Sequence, residues 1–92
     1  MTTIETIEEY KNEGNKKFKL KQFKEALDQY TKCLELLNNS NNTDQNLKAI
    51  IYSNLSASYY SLGKSEKTNS SLYFKNSIDK AIRSIESNEK FI

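Results

Sequence analysis

Residues 10–36, YKNEGNKKFKLKQFKEALDQYTKCLEL, have the spacing of two amphipathic helices separated by a short turn. The first half places Tyr10, Gly14 and Phe18 at i, i+4 and i+8, on one face of a helix. The second half carries an apolar stripe with a period of 3.6 residues, formed by Phe23, Ala26, Leu27, Tyr30, Cys33, Leu34 and Leu37. Because only residues 20–22 separate the two halves, the pattern predicts an antiparallel helical hairpin.

Gly14 stands in the middle of the first predicted helix, where glycine costs about 1 kcal/mol relative to alanine. That cost is reasonable where a second helix must approach closely. Ala26 is small and lies about one turn into the returning helix, so we expect it to be the residue that approaches Gly14.

This stretch resembles the tetratricopeptide repeat, a helix-turn-helix unit of about 34 residues. Seven residues match the characteristic positions of the motif's two helices: Tyr10, Gly14, Phe18, Phe23, Ala26, Tyr30 and Cys33. Asn38 departs from the motif, which has a proline there. The resemblance implies helical hairpins stacked as a right-handed solenoid.

The second half of the chain predicts a second hairpin after the polar residues 38–43. Its first helix is predicted over about residues 44–62, with Ile50 and Tyr52 flanking a buried stripe of Leu47, Ile51, Leu55, Tyr59 and Leu62. Gly63 is expected to end this helix in a left-handed cap. In register with the first repeat, Tyr52, Ser56 and Tyr60 fall on Tyr10, Gly14 and Phe18.

The last predicted helix follows a second polar segment, residues 64–71, and covers about residues 71–87. Its expected buried set is Phe74, Ile78, Ala81, Ile82 and Ile85. Phe74 stands where the repeat motif prefers alanine, so we expect it to displace this helix or to alter its crossing.

The expected fold is therefore all-α, a single domain over residues 1–92 with four helices in two antiparallel hairpins. Repeat 1 covers about residues 7–40 and repeat 2 about residues 44–88. Repeat arrays usually need three or more units and a polar end. We therefore expect either a fragment that lacks a third repeat or self-association through the exposed face of the last helix.

Composition argues for a binding module and against an enzyme. The 92 residues include no His and one Cys, which excludes the common zinc and haem sites and an internal disulfide. Cys33 lies on the apolar stripe and is expected to be a packing residue. No apolar run approaches the roughly 20 residues of a membrane span, and the N-terminus lacks a signal-peptide pattern. We expect a cytoplasmic protein without cofactor, metal, membrane or nucleic-acid partner; the net charge is only +2.

The charges are nevertheless uneven along the first hairpin. Acidic residues dominate residues 4–13, and five lysines follow at positions 16, 17, 19, 21 and 24. Matching of the helix dipole explains this order, with acids in the first turns and bases near the end. The alternative is a basic rim beside a site for an acidic partner.

Lys11 and Asn15 are four residues apart and project from the same side of the first helix. Asn54 lies on the third helix, and the first helices of stacked hairpins line one groove. A lysine supplies charge, and two amides supply N–H donors in fixed directions. The three side chains therefore predict a site for a carboxylate.

The segments KNEGN at residues 11–15 and IYSNLSA at residues 51–57 resemble the carboxylate-clamp repeat domains of heat-shock co-chaperones. The resemblance implies that Lys11, Asn15 and Asn54 bind the terminal carboxylates of an acidic Glu-Glu-Val-Asp tail, with Phe18 as the groove wall. The partner would be a cytosolic chaperone of the ninety- or seventy-kilodalton class. A lysine and an arginine of a third repeat complete that clamp, and Lys80 and Arg83 do not replace them.

Two other functions stay open at this point. One is a structural scaffold that binds a partner helix through apolar surface, for which Phe74 and Ile78 matter more than Lys11. The other is a regulatory repeat domain of an enzyme such as a prolyl isomerase, with the catalytic domain outside this chain.

Overall fold

The computed structural model describes residues 3–39, 45–66 and 69–89. These ranges form four helices and no strand: α1 (Thr3–Lys19), α2 (Phe23–Asn39), α3 (Gln45–Ser65) and α4 (Ser70–Glu89). Each helix packs against the next one along the chain. The predicted all-α class, with its helical hairpins, is confirmed. Most of the polar segment 38–43 and the chain beyond residue 89 lie outside the described residues.

The turn between α1 and α2 is closed by backbone hydrogen bonds at the end of α1. The N–H of Lys21 donates to the carbonyl of Phe18, and the N–H of Gln22 donates to that of Lys17, both at 2.9 Å. This is the Schellman pattern, in which the residue after the helix is left-handed. Lys21 takes that position with a φ of 62°. The turn returns the chain at once, so α2 runs back along α1.

The core lies between the first hairpin and α3. Its buried members are Ile7, Ala26, Tyr30, Cys33, Leu37, Leu47, Ile51 and Leu55. The predicted stripes of α2 and α3 thus supply most of it, whereas Ile7, which is fully buried, was not predicted. Cys33 is also fully buried, and its Sγ donates to the carbonyl of Ile7 at 3.4 Å. Burial raises the pKa of this thiol to about 11, as befits a packing residue.

The close neighbour of Gly14 is Tyr30, so the prediction that it is Ala26 was wrong. A Cβ on Gly14 would stand 2.6 Å from Cε1 of Tyr30, well inside van der Waals contact. Ala26 is buried in the same core one turn earlier on α2. An aromatic ring therefore occupies the space that the missing side chain leaves.

Gly63 does not end α3 in a left-handed cap, and this prediction is corrected. No described glycine has a positive φ, and α3 continues to Ser65. The absent side chain instead makes room for Phe74 of α4, whose Cε1 would lie 2.5 Å from a Cβ at Gly63. The Phe74 ring also packs on Tyr60, with ring centroids 5.7 Å apart. The large Phe74 ring is thus accommodated by a glycine on the facing helix.

Beside Phe74, the face that α4 turns toward α3 carries two serines, Ser77 and Ser84. Ser56 Oγ donates to the carbonyl of Ser77 at 2.8 Å, and Ser77 Oγ donates to that of Ser56 at 2.9 Å. Ser84 Oγ donates to the carbonyl of Ala49 at 2.8 Å, one to two turns further along α4. Small side chains whose hydroxyls donate hydrogen bonds to the facing helix let the two helices pack closely.

The predicted buried set of α4 is therefore largely wrong. Because the serine face is turned inward, the larger aliphatic residues point to solvent: Leu72 is 56%, Ile78 63%, Ile82 49% and Ile85 58% exposed. Phe74 and Ala81 are half-buried. The expected apolar flank of the last helix is present in the structure, and it consists of residues that the helical period alone would place inside.

Candidate functional site

A cavity of about 230 Å³ opens where α1, α2 and α3 meet. It is lined by Asn15, Phe18, Lys19, Tyr30, Asn54 and Ala57. Three of the four side chains predicted from the sequence, Asn15, Phe18 and Asn54, are thus brought to one place. The hairpin turn sets the side chains of α1 opposite those of α3, with Tyr30 between them.

Asn15 is oriented by the core. The hydroxyl of the buried Tyr30 donates to Oδ1 of Asn15 at 2.5 Å. Burial raises the pKa of Tyr30 to about 12, so the hydroxyl keeps its proton at neutral pH and acts as the donor. With Oδ1 occupied, the amide presents its Nδ2 hydrogens, which no described residue accepts.

Asn54 lies on α3 on the opposite side of the cavity and is half-buried. Its backbone carbonyl accepts a hydrogen bond from Ser58 Oγ at 2.9 Å, whereas no described residue bonds to its side-chain amide. The same side chain also borders a polar groove of about 440 Å³ between α3 and α4, lined by Asn46, Ala49, Ile50, Ser53, Asn54 and Ser84. Asn54 therefore joins two openings on one surface.

Phe18 forms the aromatic wall of the cavity. Its ring packs edge-to-face on Phe23, the first residue of α2, with centroids 5.2 Å apart. Such a pair fixes the ring plane and shields one side of the cavity from water. The predicted position of Phe18 beside the two amides agrees with this geometry.

Lys11 lies one helical turn before Asn15 and outside the lining of the cavity. Its Nζ pairs with Oε2 of Glu8 at 3.1 Å, and its side chain is 20% exposed. The structure therefore does not bring this ammonium group to the two amides. The predicted role of Lys11 in carboxylate binding stays a prediction.

Lys19 is a cavity residue that the sequence reasoning missed. It follows Asn15 by four residues, and that spacing alone places both on one side of α1. Lys19 also borders an open surface depression of about 470 Å³, formed by residues of α1 and its end: Asn12, Asn15, Lys16, Lys19 and Leu20. The run of lysines does not by itself single out Lys19, because its members lie on different faces of the helix.

The polar groups that line the cavity are hydrogen-bond donors and one cation, set in a lining that also contains Phe18 and Ala57. Two amides, one ammonium group and an aromatic wall offer donors and positive charge without a nucleophile or a general base. Within the described residues, no three His, Cys, Asp or Glu side chains are grouped closely enough to hold a metal ion. No helix in the described ranges is both long and apolar enough to cross a membrane.

Fold and cavity together define an all-α protein of helical hairpins with an amide-lined cavity between three helices. No family model, curated protein or solved structure matches the chain.

Proposed function

We propose that this chain is a protein–protein interaction module that binds the acidic C-terminal end of a partner protein. In this proposal the terminal carboxylates lie between Asn15 and Asn54, beside Phe18. The resemblance to carboxylate-clamp repeats suggests the Glu-Glu-Val-Asp tail of a cytosolic heat-shock chaperone as ligand, and the cytoplasm as location. The module tethers and does not catalyse.

The observation that carries the proposal is the hydrogen bond from Tyr30 to Asn15. It occupies the oxygen of that amide and leaves the amide N–H groups as donors for a ligand, and a second amide, Asn54, lines the same cavity. Preorganised donors bind a carboxylate without paying for reorientation at the moment of binding. Each charge-assisted hydrogen bond contributes roughly 1.5–3 kcal/mol.

The size of the cavity supports a peptide end as the occupant. Small-molecule and cofactor sites typically enclose about 300–1,000 Å³, whereas this cavity encloses about 230 Å³. One terminal residue fits that space, and the neighbouring depression and groove continue from it at Lys19 and Asn54. The surface suits an extended segment that enters the cavity by its last residue.

Lys11 joins the ligand in this proposal by leaving Glu8. That pair lies near the surface, with Glu8 45% exposed. Because Glu8 is nearly half exposed, its carboxylate can return to water when a terminal carboxylate takes its place beside the largely buried Lys11. Lys11 then adds charge from one turn along α1.

The test is a calorimetric titration with a peptide ending in Glu-Glu-Val-Asp and with the same peptide amidated at its C-terminus. We expect the peptide with a free C-terminus to bind and amidation to weaken this binding at least tenfold. Each of three substitutions should also lower the affinity: Asn15→Ala, Asn54→Ala and Lys11→Ala. Asn76→Ala, on half-buried α4 surface away from the cavity lining, is the matched control. Equal affinity for both peptides, or for wild type and the Asn15 and Asn54 variants, would overturn the proposal.

A second candidate function is assembly through α4, for which the exposed Ile78, Ile82 and Ile85 are the specific observation. Their spacing of four and three residues is that of a helix-pairing seam. In this alternative the chain is a scaffold that holds a partner helix, a second copy of itself included. Substitution on α4 would then abolish partner binding, and Lys11, Asn15 and Asn54 would be dispensable.

A further inference from the structure

We propose that Lys16 and Lys19 form a second anion subsite, which binds an acidic side chain that precedes the C-terminal residue of the ligand. The inference rests on the proposed function and extends it from the terminal carboxylate to the sequence of the tail. It names two residues that the predicted carboxylate site did not include.

The first observation is that these two lysines are unpaired and share a depression. Both border the depression of about 470 Å³, and both are exposed. Three of the other lysines in the first hairpin have carboxylate partners: Lys11 pairs with Glu8, Lys17 with Glu13 and Lys24 with Glu66. No carboxylate of the described residues pairs with Lys16 or Lys19. Their charge is therefore available to a ligand.

The second observation is that the cavity and the depression are contiguous. Asn15 and Lys19 border both of them, so a ligand held at Asn15 in the cavity has a path past Lys19 onto the exposed face of α1. From Asn15 to Lys19 the helix advances four residues, about 6 Å. An extended peptide advances about 3.3 Å per residue, so the same distance corresponds to two residues.

This register selects one ligand position. Side chains of an extended segment alternate, so the residue two before the end points to the same side as the last one. In a tail ending Glu-Glu-Val-Asp that residue is a glutamate. The geometry therefore assigns this glutamate to Lys19, with Lys16 one turn back on the same side of α1.

A double-mutant cycle tests the assignment. The protein arm compares wild type with Lys16→Gln/Lys19→Gln, which keeps helix propensity and removes two charges. The peptide arm compares the Glu-Glu-Val-Asp ending with Glu-Gln-Val-Asp. For an exposed ion pair we expect the peptide change to weaken wild type about two- to fivefold, and to leave the affinity of the double variant unchanged within a factor of about 1.5.

The control variant is Lys17→Gln/Lys75→Gln, which loses the same charge at positions outside the cavity lining and the depression. It should respond to the peptide change as wild type does. An equal response of wild type and the Lys16/Lys19 variant would overturn the subsite, because a cycle isolates the pairwise interaction. A control variant that loses the response as well would show general charge attraction and would also overturn it.

Amidated versions of both peptides separate this inference from the proposed function. If amidation weakens binding but the peptide change shows no coupling to the lysine substitutions, the terminal-carboxylate site is supported and the subsite is ruled out. If amidation does not lower the affinity and the coupling to the lysines persists, the subsite is supported and the terminal-carboxylate site is ruled out. Absence of binding by wild type to any of the four peptides would overturn both.

Discussion

The hydroxyl of Tyr30 on α2 donates a hydrogen bond to the amide oxygen of Asn15 on α1. The ring of Tyr30 fills the space beside Gly14, the residue immediately before Asn15. One buried side chain thus fixes both how closely the two helices approach and how the amide in the cavity is turned. The packing of the first hairpin and the geometry of the candidate site therefore both depend on Tyr30.

Tyr30→Phe is expected to weaken peptide binding and to destabilise the fold by similar, modest amounts. The ring and its contact with Gly14 remain, whereas the donor that holds Oδ1 of Asn15 is lost. A hydrogen bond of this kind contributes about 0.5–1.5 kcal/mol to stability. We expect a loss of that size in urea unfolding, and a three- to tenfold loss of affinity in calorimetry, because the amide is no longer preorganised.

Tyr59→Phe is the control for this change, since it removes the same group from α3 at a residue outside the cavity lining. Its affinity should equal that of wild type. A Tyr30→Phe protein that binds as well as wild type would show that the orientation of Asn15 does not limit recognition.

Gly14→Ala is expected to destabilise the protein more than Gly63→Ala. Both changes gain roughly 1 kcal/mol of helix propensity, and both place a methyl group within 2.6 Å of an aromatic ring. Tyr30 is 2% exposed and anchored by its hydroxyl, so it has no room to move, whereas Phe74 is half-buried and can shift. Overpacking costs typically 1–3 kcal/mol.

We therefore expect Gly14→Ala to lose about 1–2 kcal/mol net and Gly63→Ala to change stability by less than about 1 kcal/mol, measured by thermal and urea unfolding. Adding Phe74→Leu to Gly63→Ala should show strong non-additivity, because the substituted ring is the group that the new methyl meets. Equal losses for the two glycine variants would contradict the difference in ring mobility.

Helical periodicity predicted three of the four helix faces well. On α2 the apolar stripe and the buried face coincide, since apolar residues stand on one side and charged residues on the other. On α3 most of the predicted stripe is also buried, although Ile50 and Tyr60 are exposed. On α4 the pattern offers two candidate faces, one with Ile78, Ile82 and Ile85 and one with Ser77 and Ser84. Apolar periodicity predicts that the isoleucine face is buried. In the structure the serine face is buried instead, where Ser56 and Ser77 exchange hydrogen bonds.

Gly63 shows a second reason for a wrong prediction. A glycine near a predicted helix end has two physical uses, a left-handed cap and a close helix approach, and one sequence does not separate them. The deciding partner, Phe74, lies eleven positions later on another helix. In the site, spacing along the helices predicted that Asn15 and Asn54 share one groove, whereas Phe18 was added by the resemblance, and the structure places all three at one cavity. Spacing was not sufficient for Tyr30, because a tyrosine on an apolar stripe gives no sign of where its hydroxyl points.

Stability is expected to fall at alkaline pH because of Cys33 and Tyr30. Burial raises the pKa of Cys33 from an ordinary 9.0 to about 11, and that of Tyr30 from 10.0 to about 12. Below pH 9 both groups are protonated in the folded and the unfolded chain, so the stabilisation is complete. As pH rises from 9 toward 12 the unfolded chain loses these protons first, and unfolding becomes easier.

A two-unit difference corresponds to roughly 2–3 kcal/mol for each group. Urea unfolding at pH 8, 9, 10 and 11 measures the fall, and Cys33→Ala isolates the thiol. The variant begins less stable, since a buried side chain is truncated, but its stability should decline less between pH 9 and 11. Parallel curves for wild type and Cys33→Ala would mean that the thiol ionises equally in both states.

Substitution of the exposed isoleucines decides whether α4 is an assembly surface. Because Ile78 and Ile82 are 63% and 49% exposed, Ile78→Gln/Ile82→Gln should leave the stability of the monomer within about 1 kcal/mol of wild type. If two copies pair through α4, each substitution counts twice in a symmetric dimer. Burial of an isoleucine contributes about 1.5–3 kcal/mol, so the dissociation constant should rise at least a hundredfold.

Sedimentation velocity over a hundredfold range of protein concentration measures this dissociation constant. Leu20→Gln is the control, because Leu20 is 58% exposed in the turn between α1 and α2, away from α4. It should sediment as wild type does. A wild-type protein that stays monomeric throughout removes the second copy as the occupant of this face. Unchanged binding of the acidic peptide by Ile78→Gln/Ile82→Gln would then show that the cavity works without α4, as its position between α1, α2 and α3 requires.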